Sequence, residues 1–497
     1  MKDLRKSLLK APLALFVVVS LIVGAYAQTT YVDHTNNKCD SANGAKNQPY
    51  RTFSEGVNKT TEGGKVETRF GVYNEQLTIS KRLTLTSSGG PARIGLNSTR
   101  KICQLTGDID LERCARQTRS QTNTRFKLQG TDLGIPVEHN NRIYFLFGDS
   151  IPTGVDSGYT PDRPPSGDAV AWIDANANPD LCFDLNFITA PDGGYLSPKV
   201  VSYSADPYIE FSLGGLEVPS GAFSANGKIY AFFTTAFVKI DGVEIMRRSA
   251  LTRLDDESRN LFTYLYDVSN FDPYSCAPVP CLNQSVGGKF INISPVVVNN
   301  ADVPGLPQTT GQGVLMWGSG LYRRSDPYLA YVPLGSVENK NAWLYAVVDA
   351  NGNLLRWSEY EIDATPVFNH SCVGEFSVTW NPYLNKWLML YNCASPDGIN
   401  YRVSDTPWGK WEERGLLFDP AADGGKCHFI HEPGCDFVFE RDPDNARGGA
   451  YGPYVIPSFT KGDATTTTIY WTLSTWNPYQ AVLMKSTLRR SDARRVN

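Results

Sequence analysis

The sequence predicts an all-β protein whose main domain is a five-bladed β-propeller, on the basis of composition, a recurring hairpin and its spacing. The 497-residue chain is rich in Gly (43), Tyr (25), Phe (23) and Trp (10), which is typical of all-β proteins with many turns. An Asn or Gly turn followed by an aromatic-rich strand recurs five times. These strands contain Tyr144, Tyr230, Met316, Leu388 and Tyr470, which are separated by 86, 86, 72 and 82 residues.

Five units at this spacing favour radially arranged blades of four strands each. The spacing exceeds the ~40–45 residues of a WD40 blade, so the loops must be long, and long loops on one face can form a substrate cleft. An Asp/Asn-Pro-Tyr motif also recurs, although two copies fall within one period; it begins at Asp206, Asp272, Asp326, Asn381 and Asn477. Two packed β-sandwiches are the alternative, which the near-equal spacing disfavours.

The N-terminus has the pattern of a secretory signal peptide over residues 1–27. Lys2, Arg5, Lys6 and Lys10 precede an apolar run, and an Ala-Tyr-Ala site predicts cleavage after Ala27. An uncleaved anchor is the alternative, but the apolar run is short for a membrane span. We therefore expect a secreted, extracellular protein with no stable membrane span after cleavage.

Residues 28–100 differ from the rest of the chain. Short strands broken by Gly and Asn, with a short helix near residues 55–59, resemble the first coils of the parallel β-helix in pectin-lyase-like proteins. One or two coils cannot bury a core alone, so this segment is expected to lean on the main domain; an ordinary small β extension is the alternative. Residues 101–122 are polar and predict a linker, and residues 123–490 form the propeller.

Ten cysteines fit an oxidising compartment and are interpreted as disulfides that staple loops. Pairs that are close in sequence are Cys103 with Cys114, Cys276 with Cys281, Cys372 with Cys393 and Cys427 with Cys435, which leaves Cys39 and Cys182; the sequence leaves the connectivity open. A metal site is a weaker interpretation, since no C-x-x-C spacing occurs and the chain has five His. The formal charge of −4 gives no indication of nucleic-acid binding.

Two aspartates bracket the first hairpin and are the leading candidates for catalysis. Asp132 lies in Gly-Thr-Asp-Leu-Gly, and Asp149 follows the next strand in Phe-Gly-Asp-Ser. Strands disfavour Asp, and nearby glycines allow a close approach of backbone or ligand, so both carboxylates are expected to point into a cleft. A capped turn is the structural alternative. The hairpins at Tyr230 and Tyr470 lack such a pair, which favours Asp132 as catalyst with Asp149 in support.

Two further acids complete the predicted catalytic set. Glu375 begins an otherwise apolar strand and would be costly to bury unpaired, so it faces the central channel or a solvated edge. Asp326 follows Arg323 and Arg324, which either keep it ionised as a base or simply pair with it. Because the Asp/Asn-Pro-Tyr motif repeats, a structural turn is an equally good interpretation of Asp326.

Substrate binding is assigned to a set that consists of aromatic residues and one arginine, although core packing is the alternative for most of the aromatics. The set comprises Trp317, Tyr322, Arg323, Trp380, Tyr451 and Trp476. Glu217 is a weaker acid candidate. His428 and His431 lack a zinc-protease pattern and fit a loop held by a disulfide.

Several motifs together resemble the domain-of-unknown-function family 4185. They lie at residues 130–136, 146–150, 322–330, 374–377, 380–382, 451–454 and 474–484. The resemblance implies a five-bladed propeller related to glycosidases, among them the endo-D-arabinanases of glycoside hydrolase family 183. It places Asp132 and Asp149 in the acidic motif of the first blade. The N-terminal segment lies outside the resemblance.

The residues and the resemblance together predict a secreted glycoside hydrolase that cleaves furanosidic linkages by carboxylate chemistry, with Asp132 as base or nucleophile. A non-catalytic carbohydrate-binding propeller is the main alternative, and a surface protein retained by its N-terminus is a third. The expected partner is a polysaccharide, and the expected state is a monomer. No cofactor is expected, although the sequence leaves room for a structural calcium ion.

Overall fold

Five mainly antiparallel sheets form a closed ring in the computed structural model. The model describes residues 28–36, 41–110, 112, 116–154, 157–165, 167–201, 217–240, 243–271, 288–393, 395–433 and 447–496. The innermost strand of each sheet contacts the innermost strands of its two neighbours, so the ring closes. These inner strands are Leu128–His139, Val218–Ala225, Asn292–Asn299, Phe376–Asn381 and Gly449–Val455. The fold is the predicted five-bladed propeller.

Each blade continues outward from its inner strand. Blade 1 adds Arg142–Pro152, Ala169–Asp174 and Asn186–Phe187; blade 2 adds Lys228–Ile240, Val243–Asp256, Leu261–Asn270 and the parallel strand Lys199–Val201. Blade 3 adds Gln312–Ser319, Pro327–Pro333, Leu344–Val348 and Leu354–Ser358; blade 4 adds Lys386–Asn392, Ile399–Ser404 and Glu412–Phe418. Blade 5 adds Thr466–Trp476, Gln480–Arg489 and Thr99–Gln104, with Lys461–Gly462 paired to Thr466–Trp476.

Short elements connect the strands. A hairpin pairs Ile109–Asp110 with Arg116–Gln117, and an α-helix spans Thr122–Phe126. Short 3₁₀ helices span Pro179–Leu181, Glu257–Arg259, Asn300–Asp302, Leu334–Ser336, Lys340–Ala342, Glu361–Asp363 and Pro457–Phe459.

The five aromatic-rich repeats are the second strands of the five blades. Such a strand is covered on both faces, because successive side chains alternate between the two neighbouring blades. In blade 1, Phe145 and Phe147 pack in the apolar cluster shared with blade 5, whereas Tyr144 and Leu146 pack in the cluster shared with blade 2. One such cluster fills every interface between adjacent blades. Burial on both faces explains why the repeat could be recognised.

The Asp/Asn-Pro-Tyr motif, in contrast, does not mark one repeated position. Asp326 precedes the third strand of blade 3, Asn381 ends the inner strand of blade 4, and Asn477 follows the second strand of blade 5. Asp206 and Asp272 lie outside the described residues. The motif therefore reflects local turn chemistry rather than blade periodicity.

The N-terminal segment contains a three-stranded parallel sheet of Thr29–Val32, Lys65–Tyr73 and Thr84–Ile94. A helix spans Phe53–Lys59, where one was predicted, and the Thr52 side chain caps it by accepting a hydrogen bond from the Glu55 amide. The β-helix itself stays a prediction. The predicted signal peptide, residues 1–27, lies outside the described residues.

The predicted boundary at residue 100 falls inside a strand of the propeller. Thr99–Gln104 pairs antiparallel with Gln480–Arg489 and completes blade 5, so its last residues are not part of a linker. The sequence concealed this strand because its buried face is polar: Thr99, Lys101 and Gln104 are all buried. Polar residues on such a face look like a solvated linker unless their buried partners are known.

Two described disulfides test the cysteine pairing. Cys372–Cys393 is confirmed. Cys103 does not bond Cys114, its neighbour in sequence; it bonds Cys182 and thereby ties the outer strand of blade 5 to blade 1. Cys427 is also disulfide-bonded. The remaining five cysteines, Cys39, Cys114, Cys276, Cys281 and Cys435, lie outside the described residues.

Within the described ranges, no helix has the length and apolar character needed to cross a membrane.

Candidate active site

A cavity of about 650 Å³ lies at one mouth of the central channel. The channel itself is a second cavity of about 440 Å³, to which every inner strand contributes, through residues 135–138, 220–224, 294–297, 377–380 and 454–458. Tyr454 lines both cavities. Blades 1, 3, 4 and 5 deliver polar and aromatic residues to the mouth, among them Asp132, Asp149, Tyr322, Arg323, Glu375, Tyr451, Trp476 and Tyr479.

Asp132 is buried at the floor of this cavity, with 7% of its surface exposed. It lies opposite Gly148 in the blade 1 hairpin, and a Cβ on Gly148 would lie 2.7 Å from the Asp132 Oδ1 atom. Leu133 follows with a φ of +61°, where the inner strand bulges. The Tyr451 hydroxyl donates a hydrogen bond of 2.8 Å to Asp132 Oδ2. A glycine is therefore required opposite the carboxylate.

The surroundings of Asp132 favour its protonated form. Burial, followed by the negative charge of Asp149 and more weakly that of Glu375, raises the pKa of Asp132 to about 7. Hydrogen bonds from Tyr479 and Tyr451 oppose the shift in pKa but do not cancel it. Asp132 is thus a carboxyl group that can hold a proton near neutral pH.

Glu375 reaches the cavity from the start of blade 4 and faces residues of blade 3. Its Oε1 atom accepts a 2.7 Å hydrogen bond from the Tyr322 hydroxyl, and its Oε2 atom lies 3.5 Å from a guanidinium nitrogen of Arg323. Arg323 also lies over the ring of Tyr322, 4.6 Å from its centroid. Burial and the charge of Glu375 raise the pKa of Tyr322 well above its usual value, so this phenol remains a hydrogen-bond donor.

Asp149 enters the cavity from blade 1 in an unusual backbone conformation. Its φ is +30°, which few residues other than glycine adopt. Its amide donates a hydrogen bond of 3.2 Å to Oδ1 of Asp168. Strained backbone of this kind is concentrated at functional sites.

The structure thus brings Asp132, Asp149 and Glu375 to one cavity, but it does not bring Asp326 there. The Asp326 carboxylate accepts hydrogen bonds of 2.6 Å from the His370 amide and 3.0 Å from the Ser371 hydroxyl. Asp326 therefore secures the loop that leads to Glu375.

Two of the predicted stacking residues also lie elsewhere. Trp317 is buried between blades 3 and 4, and its indole nitrogen donates a hydrogen bond of 3.1 Å to the Pro407 carbonyl. Trp380 is 38% exposed but lines the channel cavity rather than the mouth with the acids. Five residues of extended strand separate it from Glu375, a distance of about 17 Å.

Aromatic side chains at the mouth divide into two kinds. Tyr451 is buried and hydrogen-bonded to Asp132, so it acts on the acid rather than as a free stacking surface. Trp476 is 39% exposed and meets the ring of Tyr479 edge-on at 5.7 Å. Its exposed face is available to an apolar ligand surface.

Sequence reasoning missed Asp168, a buried carboxyl group beside Asp149. Burial, together with the charges of Asp149, Glu217 and Asp132, raises the pKa of Asp168 well above its usual value. One signal could have found it: the Gly148-Asp149 pair on the second strand of blade 1 has a counterpart, Gly167-Asp168, just before the third. Glu217, the weaker acid candidate, acts on this group.

Among the described residues, one group of metal-type side chains comes together, formed by His370, Cys372 and Cys393. Because Cys372 and Cys393 are joined in a disulfide, their sulfur atoms are not available as thiolate ligands. The carboxyl groups at the mouth are not part of this group.

Residues 117–485 match the model of the family described as "Domain of unknown function (DUF4185)". A search of the curated proteins finds no match.

Remote similarities occur among solved structures. The catalytic domain of a GH62 α-L-arabinofuranosidase from Coprinopsis cinerea is 13% identical, with 73% of this chain and 91% of that chain covered and a TM-score of 0.36. An α-L-arabinofuranosidase from Podospora anserina, in complex with cellotriose, is 10% identical, with 73% of this chain and 91% of that chain covered and a TM-score of 0.37. A native arabinanase from Bacillus subtilis is 10% identical, with 72% of this chain and 96% of that chain covered and a TM-score of 0.34. The propeller assignment rests on the closed ring of five sheets.

Proposed function

The chain belongs to the DUF4185 family, and from the carboxyl groups at the mouth of its propeller we propose that it is a glycoside hydrolase that cleaves furanosidic linkages in a polysaccharide. The observation that carries the proposal is the convergence of Asp132 from blade 1 and Glu375 from blade 4 on one cavity. Glycoside hydrolysis requires two such carboxyl groups on either side of the scissile bond.

Asp132 is the proposed proton donor. It is buried beside Asp149, and its raised pKa allows it to carry a proton near neutral pH, as a general acid must. In the reaction, its proton moves to the glycosidic oxygen as the bond from that oxygen to the anomeric carbon breaks. This role replaces the base or nucleophile expected from sequence, because the sequence did not disclose how deeply Asp132 is buried.

Glu375 is the proposed second carboxylate. Arg323 and the Tyr322 hydroxyl hold it at the cavity wall. There it either attacks the anomeric carbon directly or takes a proton from the attacking water, and the stereochemistry of the product distinguishes the two. Trp476, exposed at the rim, supplies an apolar surface on which a sugar ring can stack.

Furanosidic linkages are proposed on the basis of the resemblance to the endo-D-arabinanases. Extracellular action is proposed from the predicted signal peptide, with which the described disulfides are consistent. Asp326 is no longer part of the catalytic set.

The test is a screen of the purified protein against arabinogalactan, arabinan and other furanose polymers, with release of reducing ends as the readout. We expect activity that Asp132→Asn and Glu375→Gln each lower by roughly 10²- to 10⁴-fold. Asp326→Asn is the matched control and should retain activity, because Asp326 lies outside the cavity. Full activity in Asp132→Asn would overturn the assignment, whereas polymer binding without product release would favour the carbohydrate-binding alternative.

A further inference from the structure

Asp149 lies in a β-bulge of the second strand of blade 1. The second and third strands pair in regular register from Arg142 with Asp174 to Phe147 with Ala169. By that register Asp149 would lie opposite Gly167. Instead, the amide of Ser150 donates a hydrogen bond of 2.6 Å to the Gly167 carbonyl. Asp149 is therefore one extra residue in its strand.

The bulge reverses the alternation of side chains. Phe145 and Phe147 pack in the cluster shared with blade 5, so an uninterrupted strand would place Asp149 and Ile151 on that same apolar side. Ile151 instead packs in the cluster shared with blade 2. The extra residue thus separates Asp149 from the apolar side and allows its carboxylate to line the cavity.

The amide of this bulged residue bonds a side chain. The Asp149 amide donates to Oδ1 of Asp168 at 3.2 Å, at the point where φ reaches +30°. Asp168 is 5% exposed, so the bond is sheltered from water. Satisfying this part-buried amide stabilises the bulge against the regular register.

We propose that Asp168 is a positioning residue that holds the Asp149 bulge as an uncharged carboxylic acid. The catalytic consequence rests on the proposed function, because Asp149 acts there on Asp132. The groups whose charges act most strongly on Asp168 are all acids, namely Asp149, Glu217 and Asp132. A second buried anion at this position would repel Asp149, whereas a neutral acid still offers its oxygen to the amide.

Two substitutions separate shape from charge. Asp168→Asn keeps an acceptor oxygen of the same geometry without charge, and Asp168→Ala removes the acceptor. We expect Asp168→Asn to keep kcat within about threefold at pH 7 and to keep its thermal stability. We expect Asp168→Ala to lower kcat by roughly 10²-fold with little change in KM, because misplacing a group near the reacting atoms has that effect. Asp174→Ala, an exposed aspartate at the far end of the strand that Asp168 precedes, is the control.

A crystal structure of each variant tests the geometry without any substrate. The Asp149 φ should remain positive in Asp168→Asn, and the register should relax in Asp168→Ala. If no substrate is ever found, these structures and the thermal stabilities still decide the proposal, so its failure is distinguishable from that of the proposed function. An Asp168→Asn variant as unstable or as inactive as Asp168→Ala would show that Asp168 acts as an anion, and an unchanged bulge in Asp168→Ala would show that it does not position Asp149.

Discussion

Two clusters of buried charged side chains in this protein follow opposite plans. At the junction of the propeller with the N-terminal segment, Lys101 is 1% exposed in its side chain and pairs with Asp110 at 2.7 Å and Glu112 at 2.9 Å. At the mouth of the propeller, Asp132 and Asp168 are buried beside other acids. The junction pairs its buried charges with opposite ones, whereas the blade 1 side of the mouth keeps Asp132, Asp149 and Asp168 together.

The junction extends across both parts of the chain. The rings of His34, from the N-terminal segment, and His428, from the propeller, stack at 4.4 Å. Arg51 donates a hydrogen bond of 3.1 Å to the carbonyl of His428. These contacts join the segment to the propeller or satisfy a buried group, as expected for a structural interface. The mouth shows the opposite pattern, which is characteristic of sites that shift the pKa of a catalytic group.

The first prediction breaks the junction and is expected to have the largest effect. Lys101→Ala removes the ammonium that pairs with buried Asp110 and part-buried Glu112, so we expect a loss of about 3–5 kcal/mol in the free energy of unfolding. Equilibrium denaturation at pH 7 measures it. The matched change at the mouth, Asp132→Asn, removes a buried acid among acids and should leave stability unchanged or higher. Equal losses in the two variants would abolish the distinction between the clusters.

The second prediction concerns the stability of the protein at acidic pH. Burial lowers the pKa of His34 to about 4 and that of His428 well below its usual value, while Asp33 and Glu112 face them as acids and Arg51, Arg69 and Lys101 as cations. The unfolded chain therefore binds more protons than the native chain. The stabilisation is complete above about pH 6.5 and is lost as the pH falls toward 4, by up to about 3 kcal/mol for His34.

Denaturation curves between pH 7 and pH 4 measure this dependence. His34→Gln loses the titrating ring, so it should be less stable than the native protein at pH 7 but lose less stability on acidification. Parallel pH profiles for the two proteins would show that His34 does not contribute.

The third prediction concerns Gly148, which lies opposite Asp132 at the mouth. A methyl group at Gly148 would lie 2.7 Å from Asp132 Oδ1 and 2.9 Å from Leu133 Cδ1, so Gly148→Ala must displace the carboxylate. We expect a loss of about 1–3 kcal/mol in stability from overpacking, together with a fall in turnover. Gly335→Ala, where an added Cβ meets nothing within 4 Å, is the control. A Gly148→Ala enzyme with native turnover would show that the position of Asp132 is not critical.

The contrast between the clusters also explains what the sequence could predict. The blades were predictable because a strand buried on both faces, such as that of Tyr144, has a recognisable aromatic run. Asp132, Asp149 and Glu375 were predictable because acids are out of place beside such strands. Lys101 was concealed because its acids lie further along the chain.

Other errors have equally local causes. Trp317 was assigned to the substrate although its strand is one of the runs buried on both faces. Asp168 escaped notice because its role depends on a one-residue bulge, which no spacing rule discloses. The sequence left the partner of Cys103 open because proximity in sequence does not measure proximity across the seam between blades 5 and 1.

The last prediction has the smallest effect and compares the two ends of the channel. Trp476 and Trp380 are exposed to nearly the same extent, 39% and 38%, but only Trp476 lies at the mouth with the acids. Stacking of an aromatic ring contributes about 0.5–1.5 kcal/mol, so Trp476→Ala should raise KM by roughly fivefold while kcat changes little. Trp380→Ala is matched in residue type and exposure and should leave both constants unchanged. If Trp380→Ala raised KM or lowered kcat instead, the polysaccharide would have to bind at the far end of the channel. The acids of blade 1 would then not be the catalytic groups.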